Sequence, residues 1–507
     1  MGDGSCLTLG GWAVGSFVVY LCVIIGVGLA ARRFSSRGIG EFFLGGRRLG
    51  TFVVATSAVV SGRSAWLLLG VTGMAYARGA SAVWTVVGYI VAELFSFAYL
   101  GRRLRRETER SGDLTVPDFF ASRFGGAVFL RVVTATIILV FMVAYVAAQI
   151  RAGGKALSAS FLHPAGYELT LGGLGLSLDA VTVGALITAV IILAYTVTGG
   201  YAAVAINDAI QAVVMLTALV VVPVVAALRH PTGVIETLAV LSPTLLDPFA
   251  LGAGALIGFL GIGLGSPGNP HILVRYMSIR DPRALARAAF WGTLWNVVMA
   301  WGALWIGLVG RAHVPGSLDL PKADPEAIYP VVASMHLPAW AFGLVVASIF
   351  AAILSTADSQ LLVAASCVVR DLGQQTLARG RALSQRRLVA WSRAAVLVLL
   401  AAAVVLGIAV PGLIFTLVLF AWAGLGASFG PPLLCALYWR RTSRWGVLAG
   451  LLSGTLVTVV WKITPALKGM VYELVPAFAV SMALTVAVSL LTPLTDRERP
   501  LTSSPPE

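Results

Sequence analysis

Residues 344–367 read LVVASIFAAILSTADSQLLVAASC, a stretch of spanning length that nevertheless carries hydroxyls and one carboxylate. At helical spacing, Ser348, Ala352, Ser355 and Ser359 fall on one face, with Asp358 beside it. Small hydroxyl residues allow close helix packing and also offer oxygen ligands to hard cations. A carboxylate at membrane depth costs several kcal/mol unless it is paired or hydrated. The stretch alone leaves two interpretations open, a serine-rich packing face and an ion site.

The whole chain has the composition of an integral membrane protein. Its 507 residues are 58% hydrophobic and 11% charged, whereas soluble domains carry about 25% charged residues. About thirteen apolar stretches approach the ~20-residue spanning length, and they lack strand alternation, so we predict an all-α bundle. The first stretch has no basic leader or A-x-A cleavage site, so we expect a retained helix. The predicted spans are 11–31, 49–77, 80–100, 127–150, 179–197, 204–228, 249–274, 285–309, 338–369, 389–409, 411–437, 446–463 and 470–492.

The formal charge of +14 is distributed in the way that sets membrane orientation. Arginines cluster in alternate loops, whereas the loops near 156–178, 230–248 and 311–337 carry few cations. This pattern predicts a cell (inner) membrane protein with its N-terminus outside and its C-terminus in the cytoplasm. The basic surplus then faces anionic lipid and argues against nucleic acid as a partner. The clusters include Arg32, Arg33, Arg102, Arg103, Arg105, Arg106, Arg280, Arg283, Arg386, Arg387, Arg440 and Arg441.

Two spans are interrupted by residues that do not suit a continuous apolar helix. In the second span, Ser57, Ser61, Gly62, Arg63 and Ser64 break an apolar run, as in an unwound helix that lines a cavity. Arg63 lies ~15 residues from either polar end, too far to reach the interface, so we expect it to be buried and paired. The seventh span, LIGFLGIGLGSPGNPHILVRYM, carries too many Gly and Pro residues for an unbroken helix. Paired interruptions of this kind indicate an inverted-repeat transporter with its site near the midplane.

Other polar residues inside the spans fit the same interpretation. Tyr145 and Gln149 are four residues apart and can face one cavity. Asp208 follows the turn at Gly199 and Gly200, where a helix-terminus role and a cation-ligand role are both open.

Five segments of the chain resemble the sodium/solute symporter family, and most closely its bacterial sodium/proline symporter branch. They are LGTFVVATSAVVSGRSAWLLLG, LTVPDFFASRF, GGYAAVAINDAIQAVVMLTALVVVPV, GLGSPGNPHILVRYM and AAILSTADSQLLVAAS, in that order. The resemblance implies a leucine-transporter-type fold of about thirteen helices with five-plus-five inverted repeats, one leading and two trailing helices. It implies one domain, 1–495, with a leading helix 11–31, repeats 49–228 and 249–437, trailing helices 446–492, and a cytoplasmic tail 496–507.

The resemblance also implies a sodium site and a solute cavity. Sodium ligands match the carbonyls of Val60, Arg63 and Ala352 and the hydroxyls of Ser355 and Thr356. A second sodium site in some relatives matches Asp208, Ser355, Asp358 and Ser359. The solute positions match Ser64, Trp66, Tyr145, Ser266 and Pro270, with Arg63 as a further candidate. The implied activity is Na⁺-coupled symport of a small organic solute, such as an amino acid or carboxylate. No organic cofactor and no obligatory protein partner are expected.

The chain departs from its relatives near the ion site. Gly62 replaces an acidic residue, Arg63 replaces an apolar one, and Asp358 stands where relatives often have a small residue or hydroxyl. Two cavity positions that are aromatic in the proline branch are occupied here by Ile262 and Ser266, so the resemblance does not extend to these solute contacts. Because unpaired cations ~4 Å apart repel by about 4 kcal/mol, we expect Arg63 to form an ion pair with Asp358. Two alternatives stay open: Arg63 replaces the sodium charge in a Na⁺-independent or H⁺-coupled carrier, or it binds a solute carboxylate.

Other function classes fit the residues less well. The two membrane aspartates stand in IND and TAD contexts rather than the YD and GxGD of intramembrane aspartyl proteases, so an enzyme is not expected. A channel fits broken helices less well than alternating access does. A transport-deficient membrane sensor is the remaining alternative, with signalling through a separate partner.

Overall fold

The computed structural model describes residues 10–35, 39–163, 166–171, 174–378, 384–410 and 412–494. The expected tail, 496–507, lies outside them. The described chain is mainly helical, with a single antiparallel hairpin, β1 (Tyr167–Leu171) and β2 (Leu174–Leu178), in which Tyr167 lies opposite Leu178. The helices are α1 (Gly11–Ser35), α2 (Ile39–Leu44), α3 (Thr51–Ala65), α4 (Thr72–Arg78), α5 (Val83–Phe95), α6 (Gly101–Ser111), α7 (Val116–Arg123), α8 (Val128–Ser160), α9 (Ala180–Leu228), α10 (Val234–Leu241), α11 (Ala253–Gly261), α12 (Pro270–Ser278), α13 (Leu285–His313), α14 (Ile328–His336), α15 (Ala339–Ser366), α16 (Gln385–Ala409), α17 (Ile414–Tyr438), α18 (Arg444–Ile463), α19 (Pro465–Lys468) and α20 (Leu474–Leu491).

Short helical turns of other pitch connect or extend these helices. Turns of 3-10 helix cover Gly45–Arg47, Gly79–Ala82, Pro243–Leu245, Ile262–Gly268, Pro282–Ala284, Ser317–Asp319, Pro321–Ala323 and Pro325–Ala327. π-Helical turns cover Trp66–Val71, Ser96–Leu100 and Cys367–Leu377.

The predicted all-α membrane architecture is confirmed. Among the described residues, 10 helical stretches are long and apolar enough to cross a bilayer, and 2 shorter apolar helices accompany them. One of the ten, Thr51–Ser111, has 61 residues, which at 1.5 Å per residue is about three times the hydrocarbon thickness. It is therefore too long for a single straight pass, and the turn at Gly79, with φ of 67°, divides it. The number of crossings and the repeat boundaries stay predictions.

Both predicted interruptions are present. In α3, Ser64 has φ 40° and ψ −172°, a left-handed conformation that costs a non-glycine residue roughly 1–3 kcal/mol. In the second interruption, α11 gives way to Ile262–Gly268, and Asn269 is extended before Pro270 begins α12. A third break lies inside α9 at Gly200, whose φ of 62° suits glycine.

The helix that contains the opening stretch, α15, lies at the centre of the bundle. It packs against α1, α3, α8, α9 and α16, and every residue from Val345 to Ser366 is buried. The serine-rich face divides into two parts. Ser348 bonds the Tyr329 hydroxyl at 3.0 Å and is a packing contact, whereas the stretch from Ala352 to Ser359 faces the broken part of α3.

Candidate functional site

The contact between α15 and α3 brings together hydroxyls and carbonyls at the break in α3. The Thr356 hydroxyl donates to the Ser61 carbonyl at 3.1 Å, and the Ser61 hydroxyl donates to the Ser355 carbonyl at 3.1 Å. Ser355 donates to the carbonyl of Ala352, also at 3.1 Å. All four residues are fully buried. This contact is rich in oxygen atoms, which are the ligands that hard cations prefer.

Asp208 joins this contact from α9. Its Oδ2 accepts hydrogen bonds from the hydroxyls of Ser57 at 2.5 Å and Ser61 at 3.3 Å. Asp208 lies more than two turns beyond the break at Gly200, so it does not cap the helix that follows the break. The sequence left open a helix-terminus role and a cation-ligand role for Asp208. The structure does not support the first, and it places the carboxylate beside the α3–α15 contact.

Arg275, from α12, is the partner of Asp208 that the sequence analysis missed. Its guanidinium lies 3.1 Å from Asp208 Oδ2 and donates to Ser57 at 3.1 Å and Ser61 at 2.6 Å. It also donates to Ser359, so both Asp208 and Ser359 of the candidate second sodium site contact a cation of the protein. An arginine within the apolar run PHILVRYM was the sequence signal for this residue, because a charge at membrane depth requires a partner.

Arg63 is buried and paired as expected, but its partner is Glu93 rather than Asp358. Arg63 Nη2 lies 3.3 Å from Glu93 Oε2, Nε donates to Asn296 Oδ1 at 2.5 Å, and the guanidinium carbon lies 3.6 Å from the centre of the Tyr89 ring. The predicted Arg63–Asp358 pair is therefore wrong. The reason is helical geometry: position 63 is ~200° around α3 from position 61, which faces α15. Arg63 accordingly points towards α5 and α13.

Glu93 and Asn296 form the other half of this cluster and were not identified from the sequence. Asn296 donates its amide to Glu93 Oε2, so the three side chains form a closed set. Glu93 stands inside the apolar run VVGYIVAELFSF, and a search for charges inside every predicted span would have found it. Its pairing with Arg63 joins α5 to the residue just before the Ser64 break.

No cationic side chain among the described residues forms an ion pair with Asp358. Its Oδ1 accepts from the Ser359 hydroxyl at 3.1 Å, while Oδ2 has no hydrogen-bond partner among the described residues, and neither has Asp208 Oδ1. We call five buried residues near the helix breaks the central ionisable set. In this set, Arg63 and Glu93 form one ion pair and Arg275 and Asp208 form another, so the charges within each pair cancel. The fifth residue, Asp358, adds one negative charge that no cation of the set cancels. A carboxylate in this situation binds a cation or a proton.

The residues expected to contact a solute lie around the two helix breaks. The Trp66 backbone N–H donates to the Ser64 hydroxyl at 3.1 Å and to the carbonyl of Arg63. The Trp66 ring lies 6.2 Å from that of Tyr89, and the Tyr145 ring meets His271 edge-on at 5.9 Å. Two further polar atoms, the Trp66 indole N–H and the Ser266 hydroxyl, are buried without a described partner.

Gln149 is a further contact at the first break. Its Oε1 accepts the backbone N–H of Ala65 at 3.1 Å, so α8 is bonded to the residue that follows Ser64. Tyr145, one turn earlier in α8, is buried like Gln149, and their sharing of one cavity stays a prediction. At the second break, the Trp422 indole donates to the Ile262 carbonyl at 2.8 Å.

Comparisons with known proteins agree with these observations. Residues 42–454 match the family model described as "Sodium:solute symporter family". The chain is 35% identical over 485 residues to the osmoregulated proline transporter OpuE of Bacillus subtilis, covering 94% of each protein. It is 35% identical over 486 residues to the sodium/proline symporter of Staphylococcus aureus, covering 94% of this chain and 91% of the relative. A solved structure of a substrate-bound, outward-open Na⁺-coupled sialic acid symporter has the same fold, with a TM-score of 0.79, 15% identity, and coverage of 96% of this chain and 100% of that one.

Proposed function

The chain belongs to the sodium:solute symporter family, and on that premise we propose how its ion and its solute are bound. It is a multi-pass membrane transporter that couples Na⁺ to the movement of a small solute, and it is not an enzyme. For the solute we propose a small amino acid of the proline type. Two relatives that match 94% of this chain are named as proline carriers, which supports this class.

The observation that carries the ion site is the α3–α15 contact. We place the sodium ion among the backbone carbonyls of Val60, Arg63 and Ala352 and the hydroxyls of Ser355 and Thr356. The bonds joining Ser61 to Ser355 and Thr356 hold these two segments together, which supports this placement. The ligands are all oxygens, as a hard cation requires.

The charges near the site favour a bound cation over charge replacement by Arg63. Because Glu93 and Asn296 hold the Arg63 guanidinium on the other side of α3, its charge does not stand in for sodium. Asp358 supplies the negative charge that an ion at the α3–α15 contact compensates. Asp208 and Ser359 remain candidates for a second sodium ion, which competes there with the guanidinium of Arg275.

Uptake by proteoliposomes tests the ion and the solute together. Purified protein is reconstituted, and uptake of radiolabelled L-proline is measured under an inward Na⁺ gradient and in choline buffer. We expect saturable uptake that depends on Na⁺ and is inhibited by small amino acids. Equal uptake in choline would contradict sodium coupling, whereas sodium-dependent uptake of a different solute from a panel of carboxylates and sugars would contradict the solute class alone.

We further propose that the protein lies in the cell (inner) membrane with its N-terminus outside and its C-terminus in the cytoplasm. The alternation of basic and non-basic loops supports this orientation. Single cysteines at Lys322 and Arg441 in a cysteine-free variant test it in intact cells. A membrane-impermeant maleimide should label the first position and not the second, and the reverse pattern would contradict the orientation.

A further inference from the structure

Gln149 is a polar side chain in the interior of α8 whose hydrogen bonds are only half made. The residue is 0% exposed. Its Oε1 accepts the Ala65 N–H at 3.1 Å, whereas its Nε2 has no hydrogen-bond partner among the described residues. Buried amide groups without partners are unfavourable, so natural structures nearly always satisfy them. The free N–H group therefore calls for an explanation.

The bond to Ala65 fixes the orientation of this amide. A backbone N–H is a donor, so only the oxygen of the glutamine side chain can accept it. The NH₂ group must then point away from Ala65, and the partner that completes it must be an acceptor. A free glutamine amide can donate or accept a hydrogen bond. Here the Ala65 N–H occupies its oxygen, so only the NH₂ donor is left for another partner.

Two neighbouring features also favour an acceptor, and specifically an anionic one. Ala65 follows the Ser64 break, and the N-terminal end of a helical segment carries a partial positive charge. Trp66, the next residue, has a second buried N–H donor, Nε1, with no described partner. Neither Gln149 Nε2 nor Trp66 Nε1 has an acceptor among the described residues. A carboxylate has two oxygens and could accept from both.

We propose that Gln149 is a specificity-determining residue whose side-chain NH₂ group recognises the carboxylate of the solute. This inference rests on the proposed function, because it needs a small solute that carries a carboxylate. Oε1 stays on the Ala65 N–H and orients the amide, while Nε2 selects an acid over its amide or ester. A hydrogen bond to a charged group contributes about 1.5–3 kcal/mol, which corresponds to roughly 10- to 150-fold in affinity.

The Gln149→Glu variant tests this inference with little change of shape. Glutamate keeps an oxygen for the Ala65 N–H and replaces NH₂ by a second carboxylate oxygen, which repels an acid and accepts from an amide. The probes are L-proline and L-prolinamide, measured as competitors of radiolabelled L-proline uptake at saturating Na⁺. We expect the KM for L-proline to rise at least tenfold and the preference for acid over amide to fall by more than tenfold.

A matched variant controls for the introduction of a buried negative charge. Gln360, in α15, is also fully buried, and neither amide atom has a described partner. Gln360→Glu should leave the ratio of acid to amide inhibition unchanged. If Gln149→Glu does not fold, Gln149→Met, which removes both hydrogen-bonding atoms at similar volume, should show the same loss of preference for the acid.

The outcomes separate this inference from the proposed function. If the wild type takes up L-proline with Na⁺ and Gln149→Glu keeps the wild-type ratio of acid to amide inhibition, the role of Gln149 is overturned and the function stands. If the wild type shows no sodium-dependent uptake of L-proline, the proposed solute class is overturned, and the recognition of its carboxylate with it.

Discussion

Asp358 differs from the rest of the central ionisable set because no described cation forms an ion pair with it. Arg63 and Glu93 compensate each other, as do Arg275 and Asp208. A carboxylate ~6 Å from a cation stabilises it by about 3 kcal/mol at an effective dielectric constant of 20. Asp358 is thus the residue through which ion binding and protein stability are expected to be linked.

Asp358→Asn should weaken sodium binding while it stabilises the protein without sodium. The uncompensated buried charge is removed, so thermal unfolding in choline buffer should move to a higher temperature. The Na⁺ concentration for half-maximal uptake should rise at least tenfold. An unchanged sodium response, together with an unchanged unfolding temperature, would show that Asp358 is protonated or hydrated and plays no part in ion binding.

Removal of Arg63 alone should be more damaging than removal of its whole ion pair. Arg63→Met leaves Glu93 as an uncompensated buried charge, which costs about 3–5 kcal/mol. The double variant Arg63→Met/Glu93→Gln should recover most of this loss. Thermal or denaturant unfolding of the purified proteins measures the difference, and both variants should keep the wild-type dependence on Na⁺. Stronger sodium dependence in Arg63→Met would instead support replacement of the sodium charge by Arg63.

At the scale of secondary structure, the N-terminal end of α17 depends on a side chain from another segment. Glu326 accepts the backbone N–H groups of Ile414 at 2.9 Å and Phe415 at 2.8 Å, and it pairs with Lys155 of α8 at 2.6 Å. Burial raises the pKa of the Glu326 carboxyl, and the Lys155 ammonium opposes this shift. Glu326 therefore ties α8 and α17 to the loop before α14.

Glu326→Ala should weaken this connection between α8, α17 and the loop before α14. The N–H groups of α17 lose their acceptor and Lys155 loses one of its two carboxylates, with Asp324 remaining at 2.7 Å. We expect a loss of about 1–2 kcal/mol in stability and faster amide hydrogen exchange in the first turn of α17. Unchanged exchange at Ile414 and Phe415 would show that their packing, not Glu326, holds this helix end.

The ends of α9, α13 and α14 meet through three histidines. The His313 ring lies 4.6 Å from the ring of His230 and 4.3 Å from that of His336. Burial lowers the pKa of His336, and the neighbouring His313, Arg229 and His230 lower it further. Among the described residues no carboxylate contributes to this shift, so protonation adds positive charge to a site that already contains Arg229.

Stability should consequently fall as this histidine cluster is protonated. The pKa of His336 is lower in the folded protein than its ordinary value of 6.5, so the unfolded chain binds the proton more tightly. Its contribution is complete above pH ~6.5 and is lost as the pH falls through the folded value. His336→Gln should show a smaller decrease in unfolding temperature between pH 7.5 and 5. An equal decrease would place the pH dependence elsewhere.

For the whole molecule, the distribution of apolar, polar, Gly and Pro residues along the sequence predicted those parts of the fold that depend on residues close together in the chain. The spans follow from apolar length, and both helix breaks follow from residues that do not suit a continuous apolar helix, within 57–64 and 262–270. The family resemblance, rather than local chemistry, assigned Ser355 and Thr356 to a site against α3; in the structure the Ser355 carbonyl and the Thr356 hydroxyl contact Ser61, and their role as sodium ligands stays a prediction. The spans and the helix breaks depend on neighbours in sequence.

Side-chain pairing depended on tertiary packing and was not predictable in the same way. Arg63 and Glu93 are 30 residues apart, and Asp208 and Arg275 are 67 apart. The sequence identified Arg63 as a buried cation in need of a partner, but choosing between Asp358 and Glu93 requires the rotation of α3 before its break. Gln149 was placed with Tyr145, while its bond to Ala65 required the positive φ at Ser64.

Direct binding of sodium by purified protein tests the central claim, that the ion lies between α3 and α15. Thr356→Val removes one hydroxyl ligand at nearly constant shape, and binding of ²²Na⁺ is compared with the wild type and with Thr485→Val, a buried α20 hydroxyl bonded within its own helix. We predict at least tenfold weaker binding for Thr356→Val and wild-type binding for Thr485→Val. Wild-type sodium affinity in Thr356→Val would contradict the placement of the ion.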